Sequence, residues 1–224
     1  MDVNLTLPLS LDLKREFYVQ IVDVESYIAL EEHHVGTYTT KEMADLLGCN
    51  VNLFGKIGEL SWDYDLADKI GPVFGITTIS DDVDIIMISW SESDGLPYRT
   101  HAGREFVLMN EKVKPLSVFT SMIPDHHESI QTPERLFDQL VEAGRVVKRE
   151  YCESLEDHEV LSGIRILIYS LPTEEWIIDA YILLRSTARK MGWSKSLIRM
   201  EGSLLGYHEW QNDAFLERLS IAPT

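Results

Sequence analysis

Ser91-Glu92-Ser93-Asp94-Gly95-Leu96-Pro97 is polar, contains a glycine and a proline, and lies between apolar segments. Such a stretch punctuates a chain, because glycine and proline interrupt helix and strand periodicity and the polar side chains have nothing to bury. It predicts a boundary near residue 98, and its two sides read differently. Upstream, Val3, Leu5, Leu7, Leu9, Leu11 and Leu13 alternate with polar or small residues, the period of a strand with one buried face. Pro8 would remove a ladder donor there, which sends this strand to a sheet edge or breaks it. A second strand is predicted over residues 17–24. Residues 73–79 and 83–90 are rich in β-branched side chains on either side of Ser80-Asp81-Asp82, and predict a hairpin in central sheet. Thr39 and Glu42 have the spacing of a capping box, which opens a helix through Leu47 that Gly48 stops. A second short helix is predicted over residues 52–60.

Downstream the pattern turns helical. Residues 114–122 and 145–152 predict strands, and Thr132-Pro133-Glu134 opens a helix that Gly144 closes, with Leu136, Phe137, Leu140 and Val141 on one side. Thr173 is read as the cap of a long helix over residues 174–191, stopped by Gly192. Its stretch from 176 to 184 is apolar nearly all round, which predicts burial. Helices over residues 196–205 and 208–219 follow. The expected fold class is α+β: an acidic, β-rich domain at 1–98 with a helix-turn-helix-like pair, then an α-rich α+β domain at 99–224.

Charge narrows the function classes. Asp and Glu number 37 against 20 Lys and Arg, net −17, and the excess is uneven. Residues 1–98 hold 18 acids and 5 bases, net −13, while residues 99–224 hold 19 and 15, net −4. Such a field repels phosphate backbones and anionic membrane surfaces, so generic nucleic-acid binding and membrane binding are not expected. The start of the chain lacks the basic and apolar stretches of a signal peptide, and no apolar run approaches a membrane span. Cys49 and Cys152 are the only cysteines and are far apart, which suits a reducing compartment, so a cytoplasmic location is expected. No cofactor is expected: there is no G-x-G-x-x-G, and behind Gly55-Lys56 the phosphate-loop pattern fails, with Ile57 where Ser or Thr must stand. Oligomeric state is left open.

Three site readings follow. In the first, Asp63, Asp65 and Asp68 surround Trp62 and Tyr64, while Asp81, Asp82 and Asp84 sit at the expected hairpin tip. Acids steer a basic partner into contact and interspersed aromatics anchor it, so these residues point to docking on a basic, nucleic-acid-binding protein, as an inhibitor or immunity-type protein does. In the second, residues 39–60 place Ala44, Gly48, Phe54 and Ile57 at the small, turn and apolar positions of two packed helices. This stretch resembles the helix-turn-helix of bacterial regulators, which implies a transcriptional regulator reading DNA through Asn50, Asn52 and Lys56. The segment has one cation and no arginine where the second helix would read bases. In the third, Asp125, His126, His127 and Glu128 offer four metal-ligand types in a row, and Asp-His-His is similar to a fragment of a metal phosphoesterase motif, which implies a metal-dependent hydrolase. Neighbouring ligands on a regular element point apart, so a metal there needs partners from elsewhere. No catalytic signature is legible around them.

Two further groups have bland readings. Arg99, His101, Arg104 and Glu105 suit either a cleft between the halves or solvated residues at a helix start, the expected state. In residues 201–213, Leu204, Leu205 and Trp210 are expected in the core with Phe215, Gly206 at a helix end and the polar side chains in water.

Overall fold

The computed structural model describes residues 14–23, 26, 28–49, 70, 73–75, 85–90, 96–123, 133–154 and 163–221. The fold is α+β, and the chain divides into two compact units, Met1–Thr100 and His101–Thr224.

In the first unit β1 (Lys14–Val22), β2 (Ala29–Thr39) and β3 (Ile85–Trp90) form an antiparallel sheet in the order β2-β1-β3. The predicted capping box is present: the Glu42 amide donates to Thr39 Oγ1 (3.1 Å) and the Thr39 amide to Glu42 Oε2 (2.7 Å). It opens α1 (Thr40–Leu47), and Gly48 ends the helix at φ 63°, a left-handed conformation that costs glycine nothing. Met43, Ala44 and Leu47 of α1 pack with Phe17 and Val19 of β1 and with Ile70, closing one face of the sheet. β1 alternates from Lys14 to Val19, with Phe17 and Val19 in that cluster, and its last four residues are all buried.

Two expectations change here. Residues 73 and 74 are helical rather than extended, and β3 pairs with β1, so β1 takes the middle of the sheet among the described residues. β2 was not predicted, because Glu31-Glu32-His33-His34 interrupts any apolar alternation. Its register slips where Phe17 pairs with Gly36 and Tyr18 with His34, leaving Val35 bulged. Gly36 sits there at φ 128°, and a Cβ on it would lie 2.9 Å from the Tyr38 ring. The expected strand at 3–13 and helix at 52–60 lie outside the described residues.

In the second unit β4 (Leu116–Ile123), β5 (Val147–Ser154) and β6 (Gly163–Ser170) form an antiparallel sheet in the order β4-β6-β5. Helices cover both faces. Ile166 and Ile168 point to one side and pack with Leu116 and with Ile177, Ile178 and Tyr181 of the long helix. Tyr169 points to the other, where its ring lies 4.5 Å from that of Phe137, and Phe106 and Phe119 meet the same phenyl edge-on. Phe137 belongs to α3 (Glu134–Glu142) and Phe106 to α2 (Glu105–Asn110). Each fully buried aliphatic side chain in such a sheet contributes roughly 1.5–3 kcal/mol, which explains why β6 reads as a nearly continuous apolar run.

α4 (Trp176–Met191), α5 (Lys195–Leu204) and α6 (Glu209–Ile221) complete the unit. Thr173 is not the cap expected of it: Pro172–Glu174 form a 3-10 turn, and α4 starts after Glu175 with no side-chain cap. Nor is the start of α4 buried all round, for Trp176 is 62% and Leu183 68% exposed. In residues 201–213 Leu204 and Leu205 pack against the core and Gly206 follows the helix end as expected, but past them the burial is inverted: Gln211 and Asn212 are buried while Trp210, with Phe215 beyond, is exposed. Gly202 explains the inversion, since the Asn212 side chain occupies the space where a Cβ would stand, so α5 and α6 meet through an amide rather than an aromatic. Both cysteines are free thiols, with Cys49 half-buried and Cys152 exposed. Among the described residues no helix is long and apolar enough to cross a membrane.

Candidate functional site

The residues of the three site readings lie outside the described residues. This holds for Asp63, Asp65, Asp68, Asp81, Asp82 and Asp84, for Asn50, Asn52 and Lys56, and for Asp125, His126, His127 and Glu128. What the structure places is the electrostatic setting of the first unit and a buried polar cluster in the second.

Along the β1–β2 ladder, carboxylates outnumber the cations that reach solvent. The Glu32 carboxylate takes the Arg99 guanidinium at 2.8 Å and the Gln20 amide at 2.9 Å, with Glu32 and Arg99 only 11% and 9% exposed at their side chains. Arg99 also lies 4.0 Å above the Tyr18 ring, so its charge is spent inside the unit. Arg15 is buried as well. The acids divide: Asp23 is buried and Glu32 nearly so, while Glu16, Glu31, Glu42 and Asp45 reach solvent alongside Lys14 and Lys41. Glu31, 42% exposed, meets the His33 ring at 3.2 Å, and the equally exposed Glu16 binds His34 and accepts from Thr37 Oγ1 at 2.7 Å. The Thr37 hydroxyl and the His34 ring together hold the Glu16 carboxyl below its usual range, so it stays anionic. Glu42 and Asp45 stand exposed on α1. Ala44 of α1 is buried in the cluster that holds Phe17 and Val19 of β1.

The second cluster brings together His101, Glu105, Lys114 and Tyr207. The Lys114 ammonium, 3% exposed as a residue, lies 3.1 Å from the Leu205 carbonyl and 3.3 Å from His101 Nδ1. Nδ1 also lies 3.2 Å from that carbonyl, so the tautomer of the neutral ring decides whether Nδ1 accepts from the ammonium or donates to Leu205. The His101 ring stacks on Tyr207 with centroids 4.0 Å apart, and the His101 amide donates to the Tyr207 hydroxyl at 2.8 Å. Burial, then the Lys114 charge, pushes the imidazole down to about 3. Burial likewise brings Lys114 down to about 8, against the pull of Glu105. Burial raises the Glu105 carboxyl, whose Oε2 has no hydrogen-bond partner among the described residues.

No protein-family model, curated protein or solved structure matches this chain. The chemistry of the second cluster is that of a clasp. Leu205 is the C-cap of α5, where unsatisfied carbonyls give the helix its negative end, and a buried cation there binds that end to the segment before β4. His101 is thus a buried and Glu105 a half-buried member of this clasp, not solvated residues at a helix start. Sequence reading missed Lys114 because a lysine beside a proline at a strand start carries no mark of burial. Among the described residues no three His, Cys, Asp or Glu side chains gather as a metal requires.

Proposed function

We propose that the chain is an acidic binding module of the cytosol whose first half docks on a basic, nucleic-acid-binding protein, in the manner of an inhibitor or immunity protein. The observation that carries this reading is the net −13 of residues 1–98 against −4 for the remainder. The described residues of that half support it, because Glu16, Glu31, Glu42 and Asp45 reach solvent against two exposed cations, Lys14 and Lys41, with Arg15 and Arg99 turned inward. A surface so arranged accelerates encounter with a cationic partner and rejects anionic ones.

The test compares two triple reversals of equal charge in the full chain. Asp81→Lys, Asp82→Lys and Asp84→Lys lie in the acidic half; Glu111→Lys, Glu142→Lys and Glu217→Lys lie at exposed positions of the other. The first set is expected to abolish capture of the basic partner and its salt dependence, and the second to leave both nearly intact. Equal binding by the first set and the unaltered chain would overturn the proposal. Specific duplex DNA binding by a dimer would instead favour Asn50, Asn52 and Lys56. Stoichiometric metal lost on replacing His126 and His127 would favour hydrolysis.

A further inference from the structure

Helix α4 carries an apolar stripe on its solvent side. Trp176, Leu183 and Met191 are 62%, 68% and 81% exposed, and they recur at seven and eight residues along the helix. At about 100° per residue they fall on one face, with the half-buried Ala180 and Thr187 between them. Single exposed apolar residues are ordinary, whereas a row of large ones along four turns marks a contact surface.

We infer that this face pairs with a second copy of the chain, the two α4 helices running antiparallel about a two-fold axis midway between residues 183 and 184. The spacing is self-complementary. With the axis there, Trp176 meets the partner's Met191, an aromatic–thioether contact, and Ala180 meets the partner's Thr187, two small side chains that let the helices approach. Charge selects the same orientation. The N-terminal end of α4 carries Glu174, Glu175 and Asp179, and the C-terminal end Arg189 and Lys190. Arg149 pairs with Asp179 and lies 3.7 Å from Glu175, which leaves the acidic end negative. Glu175, Asp179 and Lys190 share one flank of the stripe. A two-fold axis perpendicular to the helices sets that flank beside its own copy, acidic end against basic end. A parallel pair would set like ends together.

One helix face covers less than the ~800 Å² per partner of a standard interface, so the dimer forms with a Kd on the order of micromolar. The inference does not involve the acids of the first half and stands or falls separately from partner docking. Sedimentation velocity on the full chain over a concentration series tests it. The unaltered chain is expected to pass from monomer to dimer, and Leu183→Glu to stay monomeric with an unchanged Tm, since the site is exposed. Lys190→Glu and Glu175→Lys are each expected to weaken the dimer about three- to tenfold, and the double variant to restore it. A chain monomeric at every concentration up to about 100 μM, or a Leu183→Glu variant that dimerises as before, would overturn the inference. Failure of the double variant to recover would overturn the antiparallel arrangement.

Discussion

The two sheets solve the same problem in different ways. In the second unit β6 lies between helices on both faces, so Ile166, Leu167, Ile168 and Tyr169 are all buried although successive side chains point to opposite sides. In the first unit α1 covers one face of β1, and the outer strand β2 presents Glu31, His33 and His34 to solvent. One sheet is therefore the centre of a core and the other supports a charged rim, which is where binding residues can change without loss of the fold.

The sharpest way to break this contrast is a pair of neighbours on β6. Leu167→Ala and Ile168→Ala face opposite sides, and each is expected to lower stability by about 2–5 kcal/mol in chemical denaturation. His33→Ala on β2 is expected to change it by less than about 0.5 kcal/mol. If either β6 variant were near neutral, cover on both faces would be wrong.

Next in size is the ion network over the second sheet. Glu134 receives Arg165 at 2.8 and 3.0 Å and Lys148 at 2.5 Å, and Arg165 also reaches Glu150 at 2.8 Å. The Arg165 bonds, then those of Lys148, hold the Glu134 carboxyl down to about 2. Its folded value lies below the unfolded one, so its stabilisation is present above about 4.5 and is lost as pH falls toward 2. Glu134→Gln is expected to cost about 1–2 kcal/mol at neutral pH and to flatten that acid limb, as pH-dependent denaturation would show.

A smaller effect tests the buried clasp. The unfolded chain protonates His101 near 6.5 and the folded chain only near 3, so stability is full above about 6.5 and declines below it. His101→Phe keeps the stack on Tyr207, removes the ring nitrogen between Lys114 and the Leu205 carbonyl, and is expected to lessen the decline between those values while lowering neutral-pH stability. An unchanged slope would show that the imidazole protonates freely. At the rim, Thr39→Ala removes half of the capping box of α1 and is expected to cost about 1 kcal/mol.

Legibility followed the physics of these contrasts. The capping box at Thr39 and Glu42 and the glycine stop at Gly48 were readable because the bonds they make are local. So was α3, whose Leu136, Phe137 and Leu140 recur at helical spacing. β6 is absent from the predicted strands, because Arg165 interrupts its apolar run and nothing in the sequence says that Glu134 and Glu150 await that arginine. β2 was missed for the converse reason, since a strand on a charged rim needs no alternation. The clasp at Lys114 joins residues about ninety positions apart, and no local pattern announces it.

The central claim is that the acidic half recognises a basic protein. It is tested most directly by capture with the full chain from native lysate at low and high salt, proteins identified by mass spectrometry and nucleic acid by absorbance. The account predicts one basic, nucleic-acid-binding protein, recovered at low salt, eluted by high salt, and lost with the Asp81, Asp82 and Asp84 reversals. Recovery of duplex DNA, or of a partner held regardless of salt and of those reversals, would contradict it.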